Sequence, residues 1–544
     1  MTKESRVMFE VANQPPPLEP YNLFASDTVL RECVTREKAD WAEGGLQALG
    51  ATLGKPETIK LGFDANRFPP QLKTLDRYGH RLDEVEFHPA WHELMAIALR
   101  AGLHSSPWAK PQAGAHVARA AGTYMLNQIE SGVYCPIAMT YGSVPTLQHA
   151  PDVAAVWLPK IYSRDYDKRF MTVGQKSGAL LGMGMTENQG GSDLRTNATR
   201  AEATGDGSFR LYGHKWFMSA PMCDGFLVLA QSGKGLSCFL MPRFAPDGTR
   251  NAIRILRLKD KLGNKSNASS EVEFEGAYAQ LIGEEGRGIP TIIEMGNHTR
   301  LECSIGSSSL MRAAVVQAIH HARHRVVFQK KLVDQPLMTN VLADLALECE
   351  AATMLTFRLA RAYDEDDDVA TVFRRVVTPA AKFWICKRTP NVTLEAMEVL
   401  GGSGYIEESV MPRLYREAPV NSIWEGSGNV MCLDVLRALG RTANAAEILH
   451  TELRVPGEPR LKAFAGALEQ RLLGAERNDE AQARALVRDL VLALQAALLI
   501  KHAPAVVADA FCASRLSGES GGAFGTLPRG VDTRAIIERA GPVH

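Results

Sequence analysis

The nine residues NSIWEGSGN at 421–429 place a single carboxylate in a segment that cannot form a regular, tightly packed helix. Glu425 follows Trp424 and precedes Gly426 and Gly428, and glycine is unfavourable in a helix interior. One interpretation is an ordinary surface loop. The other is a carboxylate beside a flat cofactor, where it would act as a general base. These residues alone do not decide between the two.

A second segment with candidate chemistry is GMGMTENQGGSD at 182–193. It begins like a dinucleotide fingerprint, but Glu187 stands at the sixth position and no strand–helix–strand unit follows, so a Rossmann domain is not expected. Exposed backbone amides and the hydroxyls of Thr186 and Ser192 would suit a polar heterocycle or a pyrophosphate. A simple turn between strands is an equal alternative.

Two further motifs have both a structural and a functional interpretation. The stretch GHKWF at 213–217 puts Trp216 in a strand, either as a core aromatic or as a ring lying against a flat cofactor. The stretch EVLGGSGY at 398–405 ends a helix with two glycines, which suits a helix C-cap or a close approach of backbone to a ligand.

Other motifs are rejected on their context. GESGG at 518–522 has the spelling of a serine nucleophile turn, but a helix precedes it, and no suitable histidine and acid follow. His320 and His324 have i, i+4 spacing without a third ligand, and the nine cysteines are scattered. The sequence therefore predicts no metal site.

The composition is that of an ordinary soluble enzyme. The chain has 544 residues, enough for two to four domains, with 45% hydrophobic and 22% charged residues. Lys plus Arg and Asp plus Glu each number 61, so no global field attracts nucleic acid or membrane. Unpaired cysteines, an opening MTKESRVMFEV without an apolar run, and no apolar run long enough for a membrane span predict a cytoplasmic protein.

The pattern along the chain changes from helical to strand-like and back. Helical periodicity dominates to about residue 180, strand signals such as FRLYGHKWF follow, and long amphipathic helices return after 290. The acidic run DEDDD at 364–368 is expected to be a solvated loop. The predicted fold class is α+β, with an extended arm and an all-α domain, a β-domain, an α-bundle and an extra helical domain, at residues 1–180, 181–290, 291–440 and 441–544.

The last of these domains is rich in arginine. From Arg441 to His544 there are 13 basic and 12 acidic residues, so the tail is nearly neutral, yet eleven of the basic residues are arginine. Guanidinium groups suit the bidentate recognition of phosphate.

The order of these signals resembles the acyl-CoA dehydrogenase family. The resemblance covers about residues 75–440 and rests on MTENQGGSD, GHKWF, AMEVLGG and PRLYREAPVNSIWEGSGN in that order. It implies an acyl-CoA dehydrogenase-like fold, FAD as cofactor, and a site shared between subunits of at least a dimer, commonly a homotetramer. The Pro-rich start and the arginine-rich tail point to a branch of the family that is linked to protection against alkylation damage and to double-stranded DNA.

The resemblance also assigns site residues. The implied cofactor-binding residues are Met185, Thr186, Gly191 and Ser192 in the β-domain loop, Trp216, Phe217 and Met218 beside the isoalloxazine, Gly401, Gly402, Trp424, Gly426, Ser427 and Asn429 in the bundle, and Arg325, Phe328 and Gln335 reaching the neighbouring subunit's FAD. Gln329 replaces a usual glycine and Gln335 stands one place early. Arg437 and Arg441 are the implied DNA-binding residues, although a helix-capping or salt-bridging role for Arg437 is the alternative.

Glu425 matches the family's catalytic base. The implied reaction removes a proton alpha to a thioester while flavin accepts the β-hydride, with an acyl-CoA-like compound as substrate. Two departures from the family pattern concern Asn297, which stands where an aspartate often meets the CoA chain, and the threonine that is missing directly after Trp216. The alternatives are an ordinary acyl-CoA dehydrogenase without a DNA role and a structural flavoprotein in which Glu425 is vestigial.

Overall fold

A computed structural model describes residues 11–442, 444–517 and 522–542. The chain folds into an N-terminal helical region, a central sheet and a long-helix bundle, to which the C-terminal helices are attached. The rejected serine motif at 518–522 lies outside the described residues except for Gly522.

The N-terminal region is mainly helical, but it also contains a two-stranded hairpin. Its elements are α1 (Thr28–Arg36), α2 (Glu43–Leu53), α3 (Pro56–Arg67), β1 (Gln71–Leu75), β2 (Arg81–Glu86), α4 (Pro89–Arg100), α5 (Ser106–Ala109), α6 (Ala115–Ile129), α7 (Tyr134–Leu147) and α8 (Pro151–Ile161), with a 3-10 turn at Asp40–Ala42.

The hairpin shows that the prediction of an all-α domain was wrong. The Asp76 carboxylate accepts backbone N–H bonds from Tyr78 and His80, and Gly79 adopts a φ of 88°, which together close the turn. Asp83 then accepts the backbone N–H of Ile255 in the central sheet at 3.0 Å. The hairpin is stabilised by this contact with a strand that is distant in sequence.

The central region is a seven-stranded sheet. Its strands are β3 (Leu181–Gly184), β4 (Arg200–Ala203), β5 (Ser208–Ser219), β6 (Gly225–Ser232), β7 (Gly235–Pro242), β8 (Ile253–Leu258) and β9 (Ser269–Ile282), with 3-10 turns at Val173–Gln175 and Leu194–Thr196. The order is β3-β6-β4-β5-β9-β7 with β8 on β9, and a further β6–β7 pairing closes the sheet on itself. β5 and β9 are antiparallel, from Ser208 opposite Gln280 to Ser219 opposite Ser269. β3 is parallel to β6 and leads directly into the 185–192 loop.

The bundle is built on three long helices. Its elements are α9 (Gly288–His324), β10 (Val326–Val327), β11 (Lys330–Lys331), α10 (Pro336–Ala362), α11 (Asp368–Leu400), α12 (Gly402–Tyr405), α13 (Met411–Glu417) and α14 (Gly428–Arg441), with 3-10 turns at Leu332–Asp334 and Ala418–Ser422. α9 contacts α6, α7, α10 and α11, so it forms the axis of the bundle.

The acidic run at 364–368 is only partly the solvated loop that was predicted. Asp366, Asp367 and Asp368 are exposed, and Asp367 caps α11 through the backbone N–H of Ala370. Asp364, however, turns inward and accepts the backbone N–H groups that begin α6. The four free N–H groups at a helix start favour such a carboxylate.

The C-terminal helices pack against the bundle. They are α15 (Ala445–Leu453), α16 (Pro459–Leu473), α17 (Ala483–His502), α18 (Ala505–Phe511) and α19 (Thr533–Ala540), with a 3-10 turn at Ala475–Asn478 and a π-helical turn at Cys512–Leu516. Arg515 pairs with Asp344 and Glu348 of α10, and Arg539 pairs with Glu350 of α10. Several tail arginines are therefore engaged in holding the domain in place.

The helices of the described ranges are too short or too polar to span a bilayer, and these ranges contain no group of three or more His, Cys, Asp or Glu side chains placed to hold a metal ion. All nine cysteines are buried and free. His324 Nδ1 contacts the backbone oxygen of His320, consistent with a structural rather than a metal-binding role for this pair.

Candidate active site

Glu425 lies in the short loop between the 3-10 turn Ala418–Ser422 and α14. Its backbone has a φ of 60°, in the left-handed region, and Gly426 follows with a φ of 108°. A left-handed conformation at a residue with a side chain costs free energy and is frequent at functional sites. The glycines of the 421–429 motif therefore permit a sharp turn that presents the carboxylate.

Two cations from the long helices hold the backbone of this loop. Lys382 of α11, which is buried, donates to the backbone oxygens of Asn421 at 3.0 Å and Gly426 at 2.7 Å. Arg300 of α9 donates to the backbone oxygen of Glu425 at 3.2 Å and pairs with Asp434 of α14 at 2.9 Å. These bonds satisfy carbonyl groups that no regular structure pairs.

The carboxylate itself is bound by one hydroxyl. Thr299 of α9 donates to Glu425 Oε2 at 2.7 Å. Burial raises the pKa of Glu425, while Thr299 and the positive charges of Arg300 and Lys382 act in the opposite direction without cancelling the rise. A glutamate in this state is a stronger base than a solvated one.

Cys135 of α7 carries a neutral thiol. Burial raises its pKa to about 12, and the charge of Glu425 adds to the rise, whereas the charge of Lys261 and hydrogen bonds with Asn267 and Ser219 act in the opposite direction. The thiol therefore stays protonated at neutral pH.

The 185–192 loop is held by a buried ion pair. Lys215 of β5 donates to Glu187 at 2.7 Å, and both side chains are fully buried. Burial opposes ionisation of Glu187, but Lys215 and hydrogen bonds from Gln189 and Thr199 outweigh it and lower the pKa of Glu187. Lys215 also donates to the backbone oxygen of Leu229 at 2.8 Å. Glu187, the residue that departs from a dinucleotide fingerprint, therefore anchors the loop to the sheet.

The predicted flavin contacts on β5 differ in exposure. Lys259 lies 3.7 Å from the centre of the Trp216 ring, whereas Phe217 is 49% exposed. Met218 is fully buried, so only its backbone could reach a cofactor. The register of β5 shifts between Lys215 and Met218, and Lys259 lies over the rings of both Trp216 and Phe217. The Ser219 hydroxyl contacts that of Ser269 on β9.

The remaining predicted contacts lie at the far end of the long helices. Arg325 follows the last residue of α9, roughly 39 Å along the helix axis from Thr299. Gly401 follows α11, roughly 28 Å along its axis from Lys382. Phe328, at the tip of the β10–β11 hairpin, is 89% exposed, and Gln335 donates to the backbone oxygen of Val327. One chain does not bring these residues to Glu425.

The residues present fit a flat ring system with a pyrophosphate. A side chain at Gly190, Gly401 or Gly402 would meet no atom within 4 Å, so the backbone there is open to a ligand. Gly191 instead packs against Thr186, where a Cβ would lie 2.6 Å from the hydroxyl oxygen. Ser192, Ser427 and Asn429 are exposed and present polar groups. Trp424 donates to Asn421 at 3.0 Å, which fixes its ring beside the base.

Four residues that build this site were not identified from the sequence: Thr299, Lys382, Lys215 and Lys259. Thr299 stands two residues after Asn297, which was considered only for contact with the CoA chain. The lysines had no local sequence signal, because Lys215 and Lys382 bind loops, and Lys259 contacts a strand, that are distant in sequence.

The predicted DNA-binding residues lie on the outer face of α14. Arg437 and Arg441 are exposed and one helical turn apart. Arg437 is near enough to Asp434 to lower the pKa of that carboxyl, after the larger effects of Arg375 and Arg300. Asp434 is already bonded to Arg300 and Arg375, so Arg437 is not needed to neutralise it.

Comparison with known proteins identifies the family. Residues 13–168 match the adaptive response protein AidB N-terminal domain, residues 182–277 the acyl-CoA dehydrogenase middle domain, and residues 286–440 the acyl-CoA dehydrogenase C-terminal domain. The AidB protein of Escherichia coli (strain K12) is 49% identical over 515 residues, which cover 94% of this chain and 95% of that protein. The chain belongs to the acyl-CoA dehydrogenase family.

Comparisons with two more distant proteins lead to the same family. Acyl-CoA dehydrogenase family member 11 of Caenorhabditis elegans is 32% identical over 418 residues, which cover 71% of this chain and 65% of that protein. The crystal structure of C. elegans ACDH-11 in complex with C11-CoA superposes with a TM-score of 0.85 at 27% identity, covering 94% of each chain. The predicted fold class and the assignment as an FAD-dependent oxidoreductase acting on CH–CH groups are therefore confirmed.

Proposed function

We propose that the protein oxidises an acyl thioester, with Glu425 as the base that removes the proton alpha to the carbonyl. The observation that carries this proposal is the Glu425 carboxylate, whose pKa is raised by burial and whose loop is fixed by Lys382 and Arg300. The relative solved with C11-CoA supports a CoA thioester as the substrate class.

The chain's own groups account for the acid–base step. Glu425 takes the proton from Cα, the electron pair forms a double bond between Cα and Cβ, and a hydride leaves Cβ. When bound, FAD supplies the acceptor for that hydride. Thr299 orients the carboxylate, and Trp424 limits access of water on the adjoining side.

The cofactor site is proposed to form between two copies of the chain. The base lies beside Thr299 in the first half of α9 and Lys382 near the middle of α11, whereas Arg325, Phe328, Gly401 and Gly402 lie beyond the C-terminal ends of these two helices. An exposed aromatic ring at the tip of the β10–β11 hairpin would be covered by such an assembly. A homodimer, or a tetramer made of two such dimers, would bring the two groups of residues together at one cofactor site.

The test incubates the FAD-loaded protein with an acyl-CoA thioester in deuterated water. NMR then follows the exchange of the thioester's Cα hydrogens. Wild type should incorporate deuterium at Cα, and Glu425→Gln should lose nearly all exchange while retaining FAD absorbance. Equal exchange in both proteins would refute the assignment of the base.

A second proposed role is binding of double-stranded DNA, with protection against alkylation damage as its purpose. Arg437 and Arg441 support it because they are exposed, adjacent on one helix face and absent from the ion pairs found within the described ranges. The nearly neutral tail, in which Arg515 and Arg539 pair with α10, would add little general attraction. An ordinary acyl-CoA dehydrogenase without DNA binding is the alternative, and the salt-dependent assay described in the Discussion distinguishes them.

A further inference from the structure

A cavity of about 670 Å³ lies where three segments of the chain meet: α3, the loop between β8 and β9, and the α12–α13 segment. Small-molecule sites are typically roughly 300–1,000 Å³ in volume. The residues that line this cavity come from those three segments, so it is separate from Glu425 and from the 185–192 loop.

The cavity is strongly basic. Five cationic side chains line it: Arg67, Lys261, Lys265, Arg413 and Arg416. Of its two carboxylates, Glu407 is bound through both oxygens by Arg416, at 2.6 and 2.9 Å. Asp260 has a fully exposed side chain and contacts Lys265 only at 3.6 Å. The positive charge is therefore only partly neutralised by the chain.

Arg413 is the cation with the least compensation. Its guanidinium lies 5.0 Å from the centre of the Phe63 ring, and its Nη1 atom is buried without a hydrogen-bond acceptor. Within the described ranges, no carboxylate lies within ion-pair distance of it. Burial lowers the pKa of Arg413 and of Lys261, although the charge of Glu417 acts on both in the opposite direction. An anion in the cavity would offset the cost of this burial.

A second cavity of about 470 Å³ adjoins the first and shares Phe63, Ser409 and Arg413 with it. It runs beneath the N-terminal arm at 14–21 and is lined in part by Ile59 and Leu400. Its lining also includes polar side chains, among them Gln14, Gln128 and His321, so a ligand that spans both cavities would have an anionic end and a body with both polar and apolar groups. Arg413 and Phe63 stand at the junction between the two parts.

We propose that this cavity binds a small phosphorylated ligand, with its phosphate on Arg413, Arg67 and the two lysines and its body along Phe63. Guanidinium groups match phosphate oxygens in pairs, and ammonium groups add charge without strict geometry. A cavity of this volume with converging cations favours a small molecule over an extended polyanion. This site does not depend on the chemistry at Glu425.

The test is calorimetric titration of inorganic pyrophosphate into the FAD-loaded protein. We expect saturable binding to one site per chain, weakened at least tenfold in the double variant Arg67→Ala/Lys265→Ala. Arg477→Ala removes an exposed arginine of the tail and should bind as wild type does. Because Arg67 is exposed and Lys265 is partly exposed, the double variant should fold, and its flavin spectrum checks this.

Two results would overturn the proposal. One is the absence of saturable heat, or equal affinity in wild type and the double variant. The other is release of FAD as pyrophosphate binds, which would place the ligand in the cofactor site. Glu425→Gln should bind pyrophosphate as wild type does. The binding test can therefore be interpreted even if the proposed dehydrogenation fails.

Discussion

Thr299 donates its hydroxyl hydrogen to the carboxylate of Glu425 across 2.7 Å, although the two residues are 126 positions apart in the chain. The bond joins the helix at the axis of the bundle to the loop that precedes α14. Lys382 and Arg300 also donate hydrogen bonds to the backbone of the same loop, so residues of two bundle helices together fix the position of the base. The contributions of the Thr299 hydroxyl and of the Glu425 carboxylate to the reaction rate can be measured separately.

Thr299→Val should impair the base without removing it. The threonine bond lowers the pKa of Glu425, so its loss should raise that pKa further and move the pH profile of substrate-dependent flavin reduction to higher pH. At pH values below the midpoint, the rate should fall on the order of tenfold, the cost of one hydrogen bond to a charged group. Thr299→Ser, which keeps the hydroxyl, is the matched control. An unchanged profile in the valine variant would show that the bond does not tune the base.

Breaking the Glu187–Lys215 pair should destabilise the protein strongly. Lys215→Met leaves a buried carboxylate without its partner, which should cost roughly 3–5 kcal/mol of unfolding free energy. Denaturant unfolding of the FAD-loaded protein measures this cost, and FAD affinity should fall in parallel because the pair anchors the 185–192 loop. The double variant Glu187→Gln/Lys215→Met should recover part of the loss. Equal stability of wild type and Lys215→Met would contradict the anchoring role.

Asp364 should make stability fall as pH rises through the mildly acidic range. Burial raises the pKa of Asp364 to about 6, above its value in the unfolded chain, so folding favours the protonated form. The stability of wild type relative to Asp364→Asn should therefore decrease between about pH 4 and pH 6 and remain constant above that. Melting temperatures of both proteins across this range test it. A difference that grows with pH would reverse the assignment.

The sequence predicted the fold class and the order of its helical and sheet regions well, and it predicted the supporting interactions poorly. Gly426 is identifiable because its φ of 108° suits glycine, whereas the role of Glu425 followed from the resemblance of the whole motif to the family. The β1–β2 hairpin escaped detection because its strands are short and depend on Ile255, which is distant in sequence. Lys215 and Lys382 escaped for the same reason, since a buried lysine has no local pattern that separates it from a solvated one.

DNA binding should depend on Arg437 and on salt. Duplex affinity measured by fluorescence anisotropy should fall steeply between 50 and about 200 mM salt, since phosphate contacts release counterions. Arg437→Ala should weaken binding and reduce the salt slope by about one. Arg477→Ala, an exposed arginine elsewhere in the tail, serves as the control. Undetectable or salt-insensitive binding would remove the DNA role and leave the alternative of an ordinary dehydrogenase.

The most direct test of the account is anaerobic titration of the FAD-loaded protein with short, branched and long acyl-CoA thioesters, recorded at the flavin absorption band. At least one thioester should bleach the band in wild type, at a rate that rises with pH as Glu425 loses its proton. Glu425→Gln should keep the yellow colour with that thioester. Failure of every thioester to bleach wild type, or equally fast bleaching of Glu425→Gln, would contradict the assignment of Glu425 as the base.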